Sequence, residues 1–190
     1  LARDLDFEVC EKILVALTGT PGTGKTSVAQ QLRKLGYNVI DLNHVIEKNN
    51  YVLGKDKERN TIIVDLDRLK KYIKRIKQKT KAELIFLDGH LSHFLSVEVV
   101  IVLRCEPNKL KARLKKKRYS KGKIEENAEA EMLDVILIEA VGLHKKVFEI
   151  NTTDLDANEV CSCVISITKG RTKGYRVGEI DWSKEILKRY

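Results

Sequence analysis

The segment Gly19-Thr20-Pro21-Gly22-Thr23-Gly24-Lys25-Thr26 constrains this chain more than any other. It fits G-x-x-x-x-G-K-[ST], a pattern whose parts each have a physical task. Glycines let the backbone curl so that successive N–H groups point inward at an anion. The helix that follows adds its unpaired N–H groups and the positive end of its dipole. Ile13–Leu17, just before, is a brief apolar run and reads as a buried strand. After it, Val28, Ala29, Leu32 and Leu35 recur at helical spacing until Gly36 stops them. Gly22, Gly24, Lys25, Thr26 and Ser27 are therefore the expected ATP-binding set. Lys25 would reach the terminal phosphates, and the Thr26 hydroxyl would ligate Mg²⁺.

Downstream, strand and helix patterns alternate. Strands are expected at Tyr37–Ile40, Glu83–Leu87, Val97–Leu103 and Val147–Ile150. Leu42, Val45 and Ile46 suit a short helix that Asn49-Asn50 breaks, and Gly54 to Asn60 reads as polar and mobile. Leu66, Leu69, Ile73 and Ile76 mark an amphipathic helix with a lysine and arginine outer face and Asp65 as its N-cap. Pro107 suits the first turn of a helix through Leu110 and Leu114. Residues 125–143 read as one helix with an acidic start. It is apolar on most faces from Met132 to Ile138, and hence expected to be buried. Val160, Val164 and Ile167 form a last stripe. Gly170 to Tyr190 is basic, with a short helix at Trp182–Leu187.

This alternation predicts an α/β architecture of the P-loop NTPase kind, a parallel sheet covered on both faces. No internal repeat or linker divides the 190 residues, so one domain is expected over 1–190. The chain begins with Leu, and residues 1 to about 10 are left out of the fold expectation.

Lys and Arg number 36 against 27 Asp and Glu, a net charge of +9. That surplus favours polyanionic partners such as nucleotides, RNA or an RNA-bound protein, and fits a lysine-rich solvated surface equally well. With 6% aromatic residues, no aromatic platform with basic interleaving is visible along the chain. No apolar run could serve as a signal peptide or span a membrane. Cys10, Cys105, Cys161 and Cys163 lack metal-site spacing and read as structural thiols of a cytosolic protein.

A nucleotide site of this kind needs a second magnesium anchor at another strand end. Asp88, closing Leu84-Ile85-Phe86-Leu87, is the candidate, with turn capping as its alternative role. His90, two residues on, could touch a transferring phosphate, position water, hold a substrate phosphate, or simply pack. The run Lys115-Lys116-Lys117-Arg118 sits in an expected flap, Lys115 to Lys123. It reads equally as lid cations over ATP, as a solvated charge run, or as an RNA contact. A GTPase is disfavoured, because Asn108-Lys109-Leu110-Lys111 carries Lys where a guanine-reading Asp should stand.

Taken together, Gly19 to Thr26, Asp65-x-Asp67-Arg68, Asp88-Gly89-His90 and Asn127 to Ala140 resemble the adenylate kinase isoenzyme 6 family over about residues 12–168. That family includes a eukaryotic nuclear ATPase of small-subunit ribosome assembly and archaeal adenylate kinase-like proteins. Gly178-Glu179-Ile180-Asp181-Trp182 is similar to the archaeal branch. The resemblance implies a nucleoside-monophosphate-kinase fold with a five-stranded parallel core. It implies a monophosphate-binding region at about 41–64 and a lid at about 116–126. It gives Lys25, Asp88 and His90 catalytic roles, with Thr26 and Asp88 on Mg²⁺ and Lys117 and Arg118 near ATP. It further implies adenylate kinase and ATPase activities with ATP and AMP as substrates. A platform protein of the small ribosomal subunit is the implied partner, with possible rRNA contact. The implied location is cytoplasmic, or nuclear for a eukaryotic source. Two positions depart from the eukaryotic pattern: Lys117-Arg118 replaces Arg-Gly before Tyr119, and Glu47 stands at an arginine of the monophosphate region.

Overall fold

The computed structural model describes residues 12–56 and 61–187. Five strands form a parallel sheet: β1 (Ile13–Thr18), β2 (Asn38–Asp41), β5 (Leu84–Asp88), β6 (Val99–Arg104) and β7 (Val147–Asn151). Their order is β2-β5-β1-β6-β7. The strand that feeds the glycine loop is thus central, paired with β5 (Leu17 beside Asp88) and with β6 (Thr18 beside Val102).

The sheet is apolar on both faces because helices cover both. Val15, Leu17, Phe86, Ile101 and Leu103 pack against α1 (Lys25–Lys34) and α7 (Ala157–Thr168). Leu14, Ile85 and Leu87 face the other way, toward α2 (Leu42–Lys48) and α3 (Leu66–Lys79). Ala16, Val100 and Val102 on that face meet α6 (Val135–Leu143). This even-odd split of β1 follows from the two-residue period of a strand. The five-stranded α/β expectation holds, with strand bounds within two residues.

Four expectations need correction. Gly54 to Asp56, expected to be polar and mobile, instead belong to an antiparallel hairpin, β3 (Val52–Asp56) and β4 (Thr61–Val64), with Asp56 opposite Thr61. Its β-branched residues favour strand geometry, but two short, half-exposed strands give little periodic signal. The rest of that expected segment, 57–60, lies outside the described residues, as do Cys10 and the N-terminal residues. The basic flap is mostly helix. Helix α4 (Pro107–Lys116) includes Lys115 and Lys116, and α5 (Lys121–Met132) includes Lys121 and Lys123. Lysine is a good helix former, and Ser120 caps α5 by accepting from the Lys123 N–H at 3.4 Å.

The helix expected over 125–143 is two helices. Its first turn at Lys121 holds no acidic residue, and it breaks where Asp134 takes a left-handed φ of 55°. Nor is the apolar second half buried all round. Leu137 and Ala140 are buried, whereas Ile138 is 64% exposed and Leu143 56%. Helix α6 forms the outermost layer, so only one face finds a partner. The remaining segments follow expectation: α7 opens on an Asp156–Glu159 capping box, and α8 (Ser183–Leu187) closes the described chain. Among the described residues no helix is long and apolar enough to cross a membrane.

Candidate active site

The glycine loop links the end of β1 to the start of α1, and each glycine has a steric cause. Gly19 has φ +136°, and a Cβ there would lie 2.3 Å from the Leu103 carbonyl oxygen. At Gly22 (φ +97°) a Cβ would meet Leu110 Cδ1 at 2.8 Å. Gly24 (φ +107°) occupies the N-cap position of α1, which leaves the first N–H groups of the helix open to an anion. Lys25 folds back over the loop, its Nζ donating to the carbonyls of Gly19 at 2.6 Å and Thr20 at 3.0 Å.

A buried polar scaffold fixes the loop from behind. The Thr20 hydroxyl donates to Glu131 Oε2 at 2.5 Å. Glu131 Oε1 accepts from Arg104 Nε at 2.7 Å and from the Cys105 N–H at 3.2 Å. Arg104 also pairs with Glu149 at 3.0 Å and with Asp134. The Thr152 hydroxyl lies 2.9 Å from the carbonyl oxygens of Thr23 and Arg104. None of these partners carries a local sequence signal.

Two adjoining clefts open beside the loop. The smaller, about 170 Å³, is lined by Lys25, Thr26, Ser27, Asp88, His90 and Lys117, with Asn43 and Tyr119 at its sides. The larger, about 350 Å³, runs past Gly22, Gly24, Ser27 and Val28 to Arg113, Lys117 and Ala157. Its volume suits a small organic ligand. The fold thus brings Gly22, Gly24, Lys25, Thr26, Ser27, Asp88, His90 and Lys117 together. Arg118 lines neither cleft; it sits in the α4–α5 turn with φ +60°.

The smaller cleft has crowded charge. Burial lowers the Lys25 pKa to about 8, against the pull of Asp88 and Glu131 and with help from Lys117. Burial, and next the Asp41 carboxylate, push Asp88 above the usual carboxylate range, while Lys25 and Arg33 oppose this. Asp41 ends β2 in register with Asp88 of β5, so two acidic strand ends stand side by side. Asp41 also caps α2, accepting from the His44 N–H at 3.1 Å. His90 keeps an exposed edge, but loss of water around the rest of its ring, then Lys25, His93 and Lys123, hold it below the ordinary imidazole range. Behind it, His93 is 1% exposed and fixed between the Thr18 hydroxyl at 2.9 Å and Glu139 at 3.1 Å. It helps to shape the strand end rather than to line the cleft.

The donors available to a metal are all hard oxygens: the Thr26 hydroxyl and the carboxylates of Asp88 and Asp41. That set suits Mg²⁺, which takes one or two carboxylates and completes its shell with water and phosphate oxygens. Among the described residues no group of three or more His, Cys, Asp or Glu could hold an ion unaided.

Sequence reasoning found the strand-end Asp88 and His90 but missed Asp41, Asn43 and the Arg104–Glu131 brace. The signal for Asp41 was present, since it too closes a strand. Glu131 lies in the Asn127 to Ala140 segment that carries the family resemblance, but its role was not legible, because it meets Thr20 across 111 residues.

Comparison with known proteins agrees with this geometry. A family described as "AAA domain" matches residues 15–134. A Methanocaldococcus jannaschii protein is 40% identical over 174 residues, covering 91% of this chain and 94% of that protein. An Archaeoglobus fulgidus protein is 44% identical over 180 residues, covering 92% and 94%. Both are named "Putative adenylate kinase". Among solved structures, shikimate kinase from Acinetobacter baumannii superimposes with a TM-score of 0.56 at 14% identity, over 85% of this chain and 96% of that one. TT1252 from Thermus thermophilus gives 0.55 at 17% identity, over 86% and 100%. These likenesses are of fold. The chain belongs to the AAA-domain family matched over residues 15–134, in the group of archaeal adenylate kinase-named proteins that it parallels over nine-tenths of its length.

Proposed function

We propose that this chain transfers the γ-phosphoryl group of ATP to AMP or a related nucleoside monophosphate, with water as a second acceptor. One observation carries the reading: Lys25, Asp88, His90 and Lys117 converge on a single cleft at the N-terminus of α1. In phosphoryl transfer the protein supplies position and charge rather than covalent chemistry. The loop N–H groups and the α1 dipole hold the phosphates. Lys25 leaves the Gly19 and Thr20 carbonyls and neutralises charge growing on the bridging and terminal oxygens. Lys117 approaches from the α4–α5 turn, and Arg118 stays outside. Thr26 and Asp88 hold Mg²⁺, which when bound neutralises phosphate charge. His90 is largely neutral near pH 7, because its pKa is lowered, so its ring can accept or donate one hydrogen bond to the acceptor oxygen. The larger cleft, apolar along Val28 and Ala157, takes the base and sugar of ATP. The region 41–64, with Asn43 facing the smaller cleft, takes the acceptor, and the segment 116–126, the end of α4 with the turn and the first half of α5, acts as the lid. On this reading residues 1–190 work as one domain.

A second reading makes the chain an ATPase of small ribosomal subunit assembly, with kinase turnover incidental. It is supported by the family resemblance and by the +9 charge, which suits a ribosomal platform protein or rRNA. The free thiols Cys105, Cys161 and Cys163 suit the reducing cytoplasm.

The test is nucleotide conversion by purified protein with ATP and Mg²⁺, with and without AMP, resolving ADP from inorganic phosphate. About two ADP per ATP consumed, without phosphate and only with AMP, establishes the kinase. Phosphate release independent of AMP makes the ATPase primary. Lys25→Ala abolishes both activities, and His90→Gly lowers turnover more than ATP binding. Retained turnover in Lys25→Ala overturns the assignment of the cleft.

A further inference from the structure

Helix α3 carries seven Lys and Arg among its fourteen residues, and none of them lines the nucleotide clefts. Arg68, Lys70, Lys71, Lys74 and Arg75 are all exposed, while Leu69 and Ile73 anchor the opposite face. Arg68 pairs with Asp65 at 3.4 Å and Lys77 with Glu98 at 2.5 Å. Lys70, Lys71, Lys74 and Arg75 form no ion pair among the described residues. At 1.5 Å rise per residue the helix is about 20 Å long, enough to follow several successive phosphates.

One flank adds flat groups that the linear sequence does not reveal. Tyr51, from the start of the hairpin, meets Tyr72 edge to face at 6.1 Å between ring centroids. The Arg75 guanidinium lies 5.7 Å from the Tyr72 ring centroid. These three, with Arg68 and Lys71, border an open hollow of about 460 Å³. A hollow that size, walled by rings and a guanidinium and rimmed by cations, has the parts that hold an unstacked base beside its phosphate. The other flank, with Lys70, Lys74 and Lys77, borders a second hollow of about 440 Å³.

We propose that the outer face of α3, with Tyr51, is a binding surface for single-stranded nucleic acid. An acidic protein would use the cations but leave the Tyr51–Tyr72–Arg75 wall without a task. A duplex would offer its phosphates but hide its bases. The proposal deepens the nucleic-acid side of the assembly reading, yet stands on α3 alone. Phosphoryl transfer is measured separately, so the two can fail independently.

The experiment is fluorescence anisotropy of a labelled oligo(U) of twelve nucleotides with the full chain, together with nucleotide conversion on the same preparations. With about five phosphate contacts and a single-strand slope of about 0.7 per contact, affinity falls on the order of 100-fold between about 50 and 200 mM salt. The triple variant Lys71→Glu/Lys74→Glu/Arg75→Glu binds far more weakly, flattens the salt slope by about 2, and keeps nucleotide conversion. Tyr72→Leu keeps the apolar contact beneath, and weakens binding about tenfold with the salt slope unchanged. Equal affinity for oligo(dT) assigns the face to single strands of either sugar, and a preference for oligo(U) assigns it to RNA. Wild-type binding by the triple variant overturns the placement. Tighter binding of duplex RNA, or displacement of the oligonucleotide by polyglutamate as readily as by unlabelled oligo(U), overturns the base-holding role.

Discussion

Arg104→Met isolates the buried brace behind the glycine loop. Arg104 is 1% exposed and lies among Glu131, Glu149 and Asp134, the first two themselves 2% and 1% exposed. Methionine fills much of the same space without the cation, so two buried carboxylates lose their partner. Breaking a buried pair from one side costs about 3–5 kcal/mol. At about 2–4 °C per kcal/mol for a chain of this size, the melting temperature falls by roughly 6–20 °C. The sign of the pH dependence follows from Glu149. Burial already raises its pKa despite Arg104 and the N–H donors of Gly178 and Ile180. Removing the cation raises it further. A carboxylate raised in the folded state favours folding below its ordinary pKa, and that contribution is lost as pH rises through the folded value. The deficit of the variant is therefore smallest in acid and grows toward pH 7. Thermal melts by circular dichroism across pH 5–8 measure it. Adding Glu149→Gln, which keeps an oxygen for the Gly178 and Ile180 donors, recovers part of the loss. A deficit below about 1 kcal/mol, or one that does not vary with pH, refutes the reasoning.

Three further outcomes follow from the site. In Gly19→Ala the new Cβ meets the Leu103 carbonyl oxygen at 2.3 Å with φ at +136°, so the loop must move. Stability drops by about 1–3 kcal/mol and ATP binding is lost together, read by melting and by ATP titration. Because the free Lys25 ammonium has a pKa of about 8, and phosphates favour its charged form, ATP binding above pH 8 takes up a proton. Affinity then falls by up to about tenfold per pH unit; calorimetry in buffers of different ionisation enthalpy detects the uptake. Asp41→Asn removes the neighbouring charge that helps to raise Asp88 and keeps a side chain able to cap α2. The acid limb of the pH–rate profile moves to lower pH, with the fold unchanged by circular dichroism.

The legible part of this molecule is local. Glycines at 19, 22 and 24 and a lysine at 25 declare their loop because backbone curl and anion contact are satisfied within eight residues. The central strands β1, β5 and β6 declare themselves because a strand buried on both faces must be apolar throughout. Asp88 and His90 could be placed by following β5 to its end. The break at Leu133-Asp134 contains neither Gly nor Pro, and depends on Asp134 reaching Arg104 thirty residues away. Tyr51 and Tyr72 are twenty-one residues apart and become a pair only when the hairpin folds back on α3. Exposure on α6 is illegible for the same reason: periodicity reports how many faces are apolar, whereas burial depends on what lies opposite.

The charges in the smaller cleft can be understood as two halves of one requirement. On one side burial, and next Asp41, raise the Asp88 pKa, so the two carboxylates resist being ionised together. On the other, burial first and Lys117 in a smaller part lower the Lys25 pKa, so the buried ammonium resists holding its charge without a nearby anion. Lys25 and Asp88 offset each other only in part, and neither adopts its ordinary titration. A polyphosphate supplies the anion that both lysines lack, and a divalent cation supplies the charge that both carboxylates lack. Each ligand also brings the other's missing contacts, since phosphate oxygens complete a metal shell that these residues cannot complete alone. If the proposed function holds, nucleotide and metal are coupled through the cleft itself, and each tightens the other by the same factor. A glycine loop by itself would bind phosphate without that coupling. On the proposed reading, the neighbouring acidic ends of β2 and β5 are the feature that would make the site favour a metal–nucleotide complex over either component.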